Sequence, residues 1–149
     1  MEKGASGPEL APVKSWLLDT APLVAYLDAD DPAHESVAER WDEFRGHFAT
    51  SSAVITEAMH FVSAHADGPS QLAEVAASSG MAIYDLSQPA ELVEAAALMR
   101  KYADSPMDYA DATLVLLAEA LGVTDVLTLD RRGFSAYRTR KGRALRIVL

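Results

Sequence analysis

The chain has 149 residues, half of them hydrophobic and 23% charged. This composition points to one globular domain with a real core and excludes a disordered segment. No apolar run approaches the roughly 18–20 residues of a membrane span, and the absence of cysteine excludes disulfides and thiolate metal sites, which fits a cytoplasmic address. The net charge of −9 is unevenly spread: residues 1–130 carry −16, while everything after Asp130 is basic or neutral and carries +7. Such a chain is no general nucleic-acid coat; it sets an acidic body able to hold cations beside a basic strip able to meet phosphates.

The opening "MEKGASGPELAPVKS" lacks the apolar region of a signal peptide and reads as a flexible tail or expression remnant over residues 1–15, ahead of a domain over 16–149. "WLLDT" (16–20) predicts a first strand, and "APLVAYLD" a helix that Thr20 can cap. Asp31 and Pro32 then open a helix as N-cap and first residue, ending near Gly46. "HFATS" reads as a second strand and "SAVITEAMHFVSAHA" as a helix stopped by "DGPS". A helix over "SQLAEVAASSG", a strand in "MAIYDL" and a long helix over "QPAELVEAAALMRKYA" follow. The next helix starts at "SPMD", with Ser105 as N-cap, Pro106 at N1 and Asp108 at N3. The apolar stretch before Asp130 is a strand, "TRKGR" a turn, and "ALRIVL" a terminal strand. Strands alternating with helices predict a mostly parallel sheet covered on both faces. Ligands in such sheets sit beyond the carboxyl ends of the strands, where Asp19 and Asp130 fall.

The placement of the acids needs explaining. Asp111 lies at the edge of the stripe formed by Met107, Ala110, Leu114, Leu117, Ala118 and Leu121. With the helix starting at Ser105 it is too deep for capping, and no basic residue stands at i+3 or i+4. A buried carboxylate without a partner costs several kcal/mol or takes up a proton. Glu57 shares a face with Val54 and Phe61, where it is either a site acid or a rim glutamate reaching outward. Asp108 reads equally as a helix cap and as a metal ligand. A lone acid after a strand is more often a turn or cap residue than a catalyst, and Asp130 could cap a short turn at "RRGF". Together the set is harder to dismiss. Carboxylates gathered within about 4–6 Å repel by a few kcal/mol per pair, and a divalent cation relieves that repulsion. All-oxygen ligands suit Mg²⁺ or Mn²⁺ rather than zinc.

Other chemistries lack support. There is no H-E-x-x-H, no Gly-rich phosphate loop and no G-x-S-x-G. His60 and His65 are five residues apart and point to different helix faces. The run "DADD" (28–31) is accounted for by a helix end and an N-cap.

The stretches "LLDTAPLVAYLDADDPAH", "SSAVITEAMHFV" and "MDYADATLVLLAEALGVTDVLTLDRRGFSAYR" resemble the PIN-domain ribonucleases, specifically VapC-type toxins of bacterial toxin–antitoxin pairs. The resemblance spans roughly residues 16–149. It implies a three-layer α/β/α domain with a parallel five-stranded sheet in the order 3-2-1-4-5. It implies an acidic quartet of Asp19, Glu57, Asp111 and Asp130, with Asp108 where some relatives carry a further acid, and Thr20 and Thr128 as hydroxyls near the metal. It further implies a Mg²⁺- or Mn²⁺-dependent endoribonuclease, a homodimer, inhibited by a cognate antitoxin. In that setting Arg131, Arg132, Arg138 and Arg140 are candidate RNA contacts. A PIN-like scaffold that only binds protein is the main alternative. A receiver-type phosphoacceptor domain is the lesser one, since it wants paired acids at the first strand and a lysine after a late strand.

Overall fold

The computed structural model describes residues 13–149, so the predicted tail lies outside the described residues except for its last three. Of these, Ser15 already pairs with His47 as the first residue of β1, Ser15–Leu18. The chain continues through α1 (Thr20–Leu27), α2 (His34–Glu43), β2 (His47–Ser51), α3 (Ser52–Val62) and α4 (Gly68–Ser79). Then come β3 (Ala82–Tyr84), α5 (Pro89–Lys101), α6 (Tyr109–Leu121), β4 (Asp125–Leu127), α7 (Arg131–Ala136) and β5 (Arg146–Ile147). The five strands form one sheet in the order β3-β2-β1-β4-β5, and every pairing is parallel.

Alternation along the central strands explains the layers. Leu17, Ala49 and Val126 face a core built with α5, α6 and α7. Their neighbours Trp16, Leu18, Phe48 and Leu127 face the opposite core, with Leu23, Trp41, Val62 and Leu72 from α1 to α4. Successive strand residues point to opposite faces, so both faces of the middle strands must be apolar. Helix α6 is the most enclosed element, buried continuously from Ala112 to Ala118, rather than along the single stripe expected. Among the described residues no helix is long and apolar enough to cross a membrane.

Several helix starts differ from expectation, and in each case a side chain explains the shift. Helix α6 begins at Tyr109, not Pro106, because Asp108 accepts the Asp111 amide at 2.7 Å while Asp111 accepts the Asp108 amide at 3.1 Å. This reciprocal D-x-x-D box satisfies two orphan donors at once, and it places Asp111 at N3. The expectation that Asp111 is too deep to cap is therefore corrected. Helix α2 begins at His34, because the Asp31 carboxylate accepts the Ala33 amide at 2.8 Å and its carbonyl accepts the His34 amide at 2.9 Å, making a turn instead of a cap. It ends at Glu43, ahead of Gly46, where a Cβ would strike the Lys14 carbonyl. In α1 the cap is Asp19, not Thr20. The "DGPS" stretch does not stop α3, which ends at Val62; it supplies the first turn of α4, where proline has no amide hydrogen to lose.

Candidate active site

The strands β1 and β4 are parallel neighbours, so the residues just past them share one edge of the sheet. The Asp19 amide donates to the Leu127 carbonyl at 3.1 Å, extending the ladder by one step. The fully buried Thr128 hydroxyl donates to Asp19 Oδ2 at 2.7 Å and accepts the Asp130 amide at 3.0 Å. One hydroxyl thereby fixes both strand-end acids. Asp19 Oδ1 accepts the Thr20 amide at 2.8 Å, and Asp130 Oδ1 accepts the Gly133 amide at 3.0 Å as N-cap of α7. The expected short turn at "RRGF" is this helix.

Two further helices bring the remaining acids. The N-terminus of α6 presents Asp108 and Asp111, and α3 presents the half-buried Glu57 from mid-helix. Only Val54 on the face of Glu57 is buried; Phe61 is largely exposed, so that face is less enclosed than its sequence predicts. A buried pair of hydroxyls, absent from the sequence-based expectations, joins the two helices. Thr113 donates to the Ala110 carbonyl at 2.6 Å, which leaves Ser51 to donate to Thr113 at 2.7 Å while accepting the Val54 amide at 3.2 Å. The available signal was the position of Ser51, a hydroxyl residue between an apolar strand and a helix, where N-caps occur.

Electrostatics tie the acids into one site. Burial pushes the Asp19 carboxyl from 3.8 to about 6; hydrogen bonds from Thr128 and Thr20 oppose the rise, and the Asp108 and Glu57 charges add to it. Asp111 is pushed to about 8, by burial first and then by the charges of Asp108 and Asp19. Asp19 thus feels the charges of Asp108 and Glu57, and Asp111 those of Asp108 and Asp19. Asp130 joins them around the buried Tyr137 hydroxyl, whose proton is held more tightly through burial and then through Asp111, Asp130, Asp108 and Asp19.

This arrangement fits a hard divalent cation in three ways. The donors are all oxygens. Asp108, Asp111 and Asp130 each commit one carboxylate oxygen to a cap, and no hydrogen bond takes the other among the described residues. The buried Thr20 hydroxyl, beside Asp19, has no hydrogen-bond partner. Among the described residues no three acidic or imidazole side chains already converge on a single ion position.

The four candidate arginines are not equivalent. Arg140 is engaged by Glu94 at 2.9 Å and by Glu119 at 2.8 Å. Arg131 donates to the Leu149 carbonyl at 2.6 Å, and Arg138 to the carbonyls of Ser135 and Tyr137. Arg132 alone borders the acids, in a notch of about 70 Å³ formed with Ser105, Pro106, Asp130 and Gly133. A larger cleft, about 430 Å³, lies instead between α1, α3 and α4. In the "DADD" run beside it, Asp28 is the expected helix end, as C-cap of α1, and accepts the Asp30 amide, whereas Asp31 accepts the Ala33 amide in a turn where an N-cap was expected.

The PIN domain family profile matches residues 16–139. Ribonuclease VapC26 of Mycobacterium tuberculosis is 34% identical over 134 residues, covering 89% of this chain and 98% of its own length. Among solved structures, the Mycobacterium tuberculosis VapC20 toxin, described as cleaving the sarcin–ricin loop, superposes with a TM-score of 0.71 at 14% identity, covering 81% of this chain and 95% of its own. VapBC2 from Rickettsia felis, bound to a DNA fragment from its promoter, gives a TM-score of 0.56 at 15% identity over 89% of this chain and 96% of its own. With strand order, family profile and sequence likeness in agreement, the chain belongs to the PIN-domain family, among its VapC-type members.

Proposed function

We propose that this protein is a Mg²⁺- or Mn²⁺-dependent endoribonuclease of the cytoplasm and the toxin of a toxin–antitoxin pair, acting on RNA and held in check by a cognate antitoxin. The observation that carries the reading is the hydrogen-bonded chain Asp19–Thr128–Asp130 beside the charge-strained Asp111. The likeness to a ribonuclease along nearly its whole length supports it. A homodimer belongs to the same reading, and the exposed Ile83, Leu92 and Val93 offer apolar surface for it.

Asp19, Asp111 and Asp130 would hold the cation, with Asp108 beside them. When bound, the cation lowers the pKa of a neighbouring water and offsets charge building on the scissile phosphate. Thr128 keeps Asp19 and Asp130 in register. Glu57, on its own helix, orients the attacking water and takes its proton. Water adds to phosphorus, the bond to the 3′ oxygen breaks, and that oxygen gains a proton, leaving a 5′-phosphate and a 3′-hydroxyl. Arg132 meets a flanking phosphate, so cleavage weakens as salt rises.

The test is cleavage of total cellular RNA by the parent chain and by Asp111→Asn and Asp130→Asn at saturating Mn²⁺. Loss of at least about a hundredfold in kcat is expected for each. Undiminished cleavage by both would remove these acids from the mechanism.

A further inference from the structure

We propose that Tyr137 is a positioning residue of this site, its hydroxyl clamping the entry of α6 to the start of α7 so that Asp108 and Asp111 stay in register with Asp130. The inference rests on the nuclease reading above and extends it to a residue outside the acidic set.

Three observations meet at this hydroxyl. First, Tyr137 is wholly buried, and its Oη donates to the carbonyls of Ser105 at 3.3 Å and Pro106 at 3.1 Å, across more than thirty positions of sequence. Those carbonyls lie just ahead of Asp108, the N-cap of α6. Second, the packing of the ring does not need the hydroxyl. The ring meets Tyr102 and Phe134 edge-on, each with centroids 5.1 Å apart, contacts a phenylalanine would make equally well. Third, Gly133 stands where any Cβ would collide with Asp130 Oδ2 and approach the Tyr137 oxygen to 2.8 Å. Since Gly133 is helical with an ordinary φ, close approach and not backbone conformation makes glycine fit there. The acid at the start of α7, the phenol at its end and the loop before α6 therefore share one packed junction.

A core aromatic with a convenient hydrogen bond explains the ring but not its placement. A hydroxyl serving only its own burial could bond to any nearby carbonyl. This one ties together the two chain segments that carry Asp108, Asp111 and Asp130.

Tyr137→Phe removes one oxygen and keeps the ring. Three quantities are to be measured on the full chain: Mn²⁺ affinity by calorimetry without RNA, steady-state cleavage of RNA, and amide exchange over residues 108–111. The expected result is a cooperative melt close to the parent's and Mn²⁺ affinity lower by about tenfold. The kcat should fall by about 10- to 100-fold with KM within about twofold, because misplacement by about an ångström is costly to chemistry but not to RNA binding. Amide exchange at Asp111 should quicken. Tyr26→Phe, which removes a hydroxyl bonded to Asp42 far from the site, should match the parent throughout. A Tyr137→Phe protein with parental Mn²⁺ affinity and kcat overturns the clamp while leaving the nuclease reading intact. A parent chain with no saturable Mn²⁺ site overturns both. If Tyr137→Phe does not fold, Gly133→Ala pushes on the same junction from the other side, and parental Mn²⁺ affinity in that variant would overturn the clamp.

Discussion

Without a divalent cation, this protein should be more stable at pH 5 than at pH 8, and Asp19 supplies the clearest part of the difference. Its carboxyl binds a proton at about 6 in the folded chain against 3.8 ordinarily, raised by burial and by Asp108 and Glu57. The folded state therefore holds the proton more tightly than the unfolded one. The associated stability is fully present below pH 3.8 and is lost as pH rises through about 6. The difference between the two values converts to about 3 kcal/mol in full, of which about 1.4 kcal/mol remains at pH 5 and is lost by pH 8, because a group binding its proton at about 6 is already partly deprotonated at pH 5. Asp111 works in the same direction up to about pH 8; being half-buried and coupled to Asp108, it is screened by solvent and adds a smaller share. For a chain of this length about 1.4 kcal/mol corresponds to a melting temperature higher by ~3–6 °C at pH 5 than at pH 8. Melts followed by circular dichroism in EDTA, from pH 4.5 to 8.5, measure it. General repulsion at a net charge of −9 also lowers stability at high pH, so Asp19→Asn serves as the comparison and should lose most of the slope. Excess Mn²⁺ should flatten the parent's profile, because a bound cation favours the charged carboxylates. A melting temperature that rises from pH 5 to 8 in EDTA, or an Asp19→Asn profile parallel to the parent's, would refute the reasoning.

Thr128→Val keeps the shape of a buried side chain but removes the donor to Asp19 and the acceptor for the Asp130 amide. It should cost about 2–3 kcal/mol and move the acid transition of Asp19 to higher pH; an unchanged melt and profile would argue against the shared-hydroxyl arrangement. Among the basic residues, Arg132→Ala should weaken binding to a nuclease-dead parent and shallow its salt dependence, because Arg132 borders Asp130. Arg140→Ala should leave RNA binding unchanged, because its guanidinium already meets Glu94 and Glu119. Equal effects in filter binding would show that the basic strip acts as a diffuse field.

The parallel sheet was readable because its central strands are short apolar runs ending in acids, and Leu17, Leu18 and Leu127 leave little alternative to a buried strand. Its edges were harder. Strand β3 is exposed at all three of its residues, and β5 pairs over two, so neither is marked by burial; both were expected to be longer. Asp19, Asp111 and Asp130 stood out as charges in apolar surroundings, a mismatch that survives in one dimension. The start of α6 did not, because "SPMDYAD" offers two overlapping capping boxes, Ser105 with Asp108 and Asp108 with Asp111. Only the Tyr137 hydroxyl, arriving from a distant helix to occupy the carbonyls of Ser105 and Pro106, accompanies the choice of the second. The Ser51–Thr113 pair was likewise invisible, since it joins positions 62 residues apart.

The acids proposed to hold the cation are also the acids that cap helices. Asp19, Asp108 and Asp130 are N-caps of α1, α6 and α7, and Asp111 completes the box of α6. Each carboxylate draws amide donors and the positive end of a helix dipole, which makes a crowd of like charges tolerable before any cation arrives. The caps use one oxygen each of Asp108, Asp111 and Asp130. The raised Asp19 and Asp111 carboxyls reflect burial first and the neighbouring acids second, and on the proposed function a divalent ion would favour their charged forms. Glu57, mid-helix and uncapped, lacks this anchoring, in keeping with the different role proposed for it.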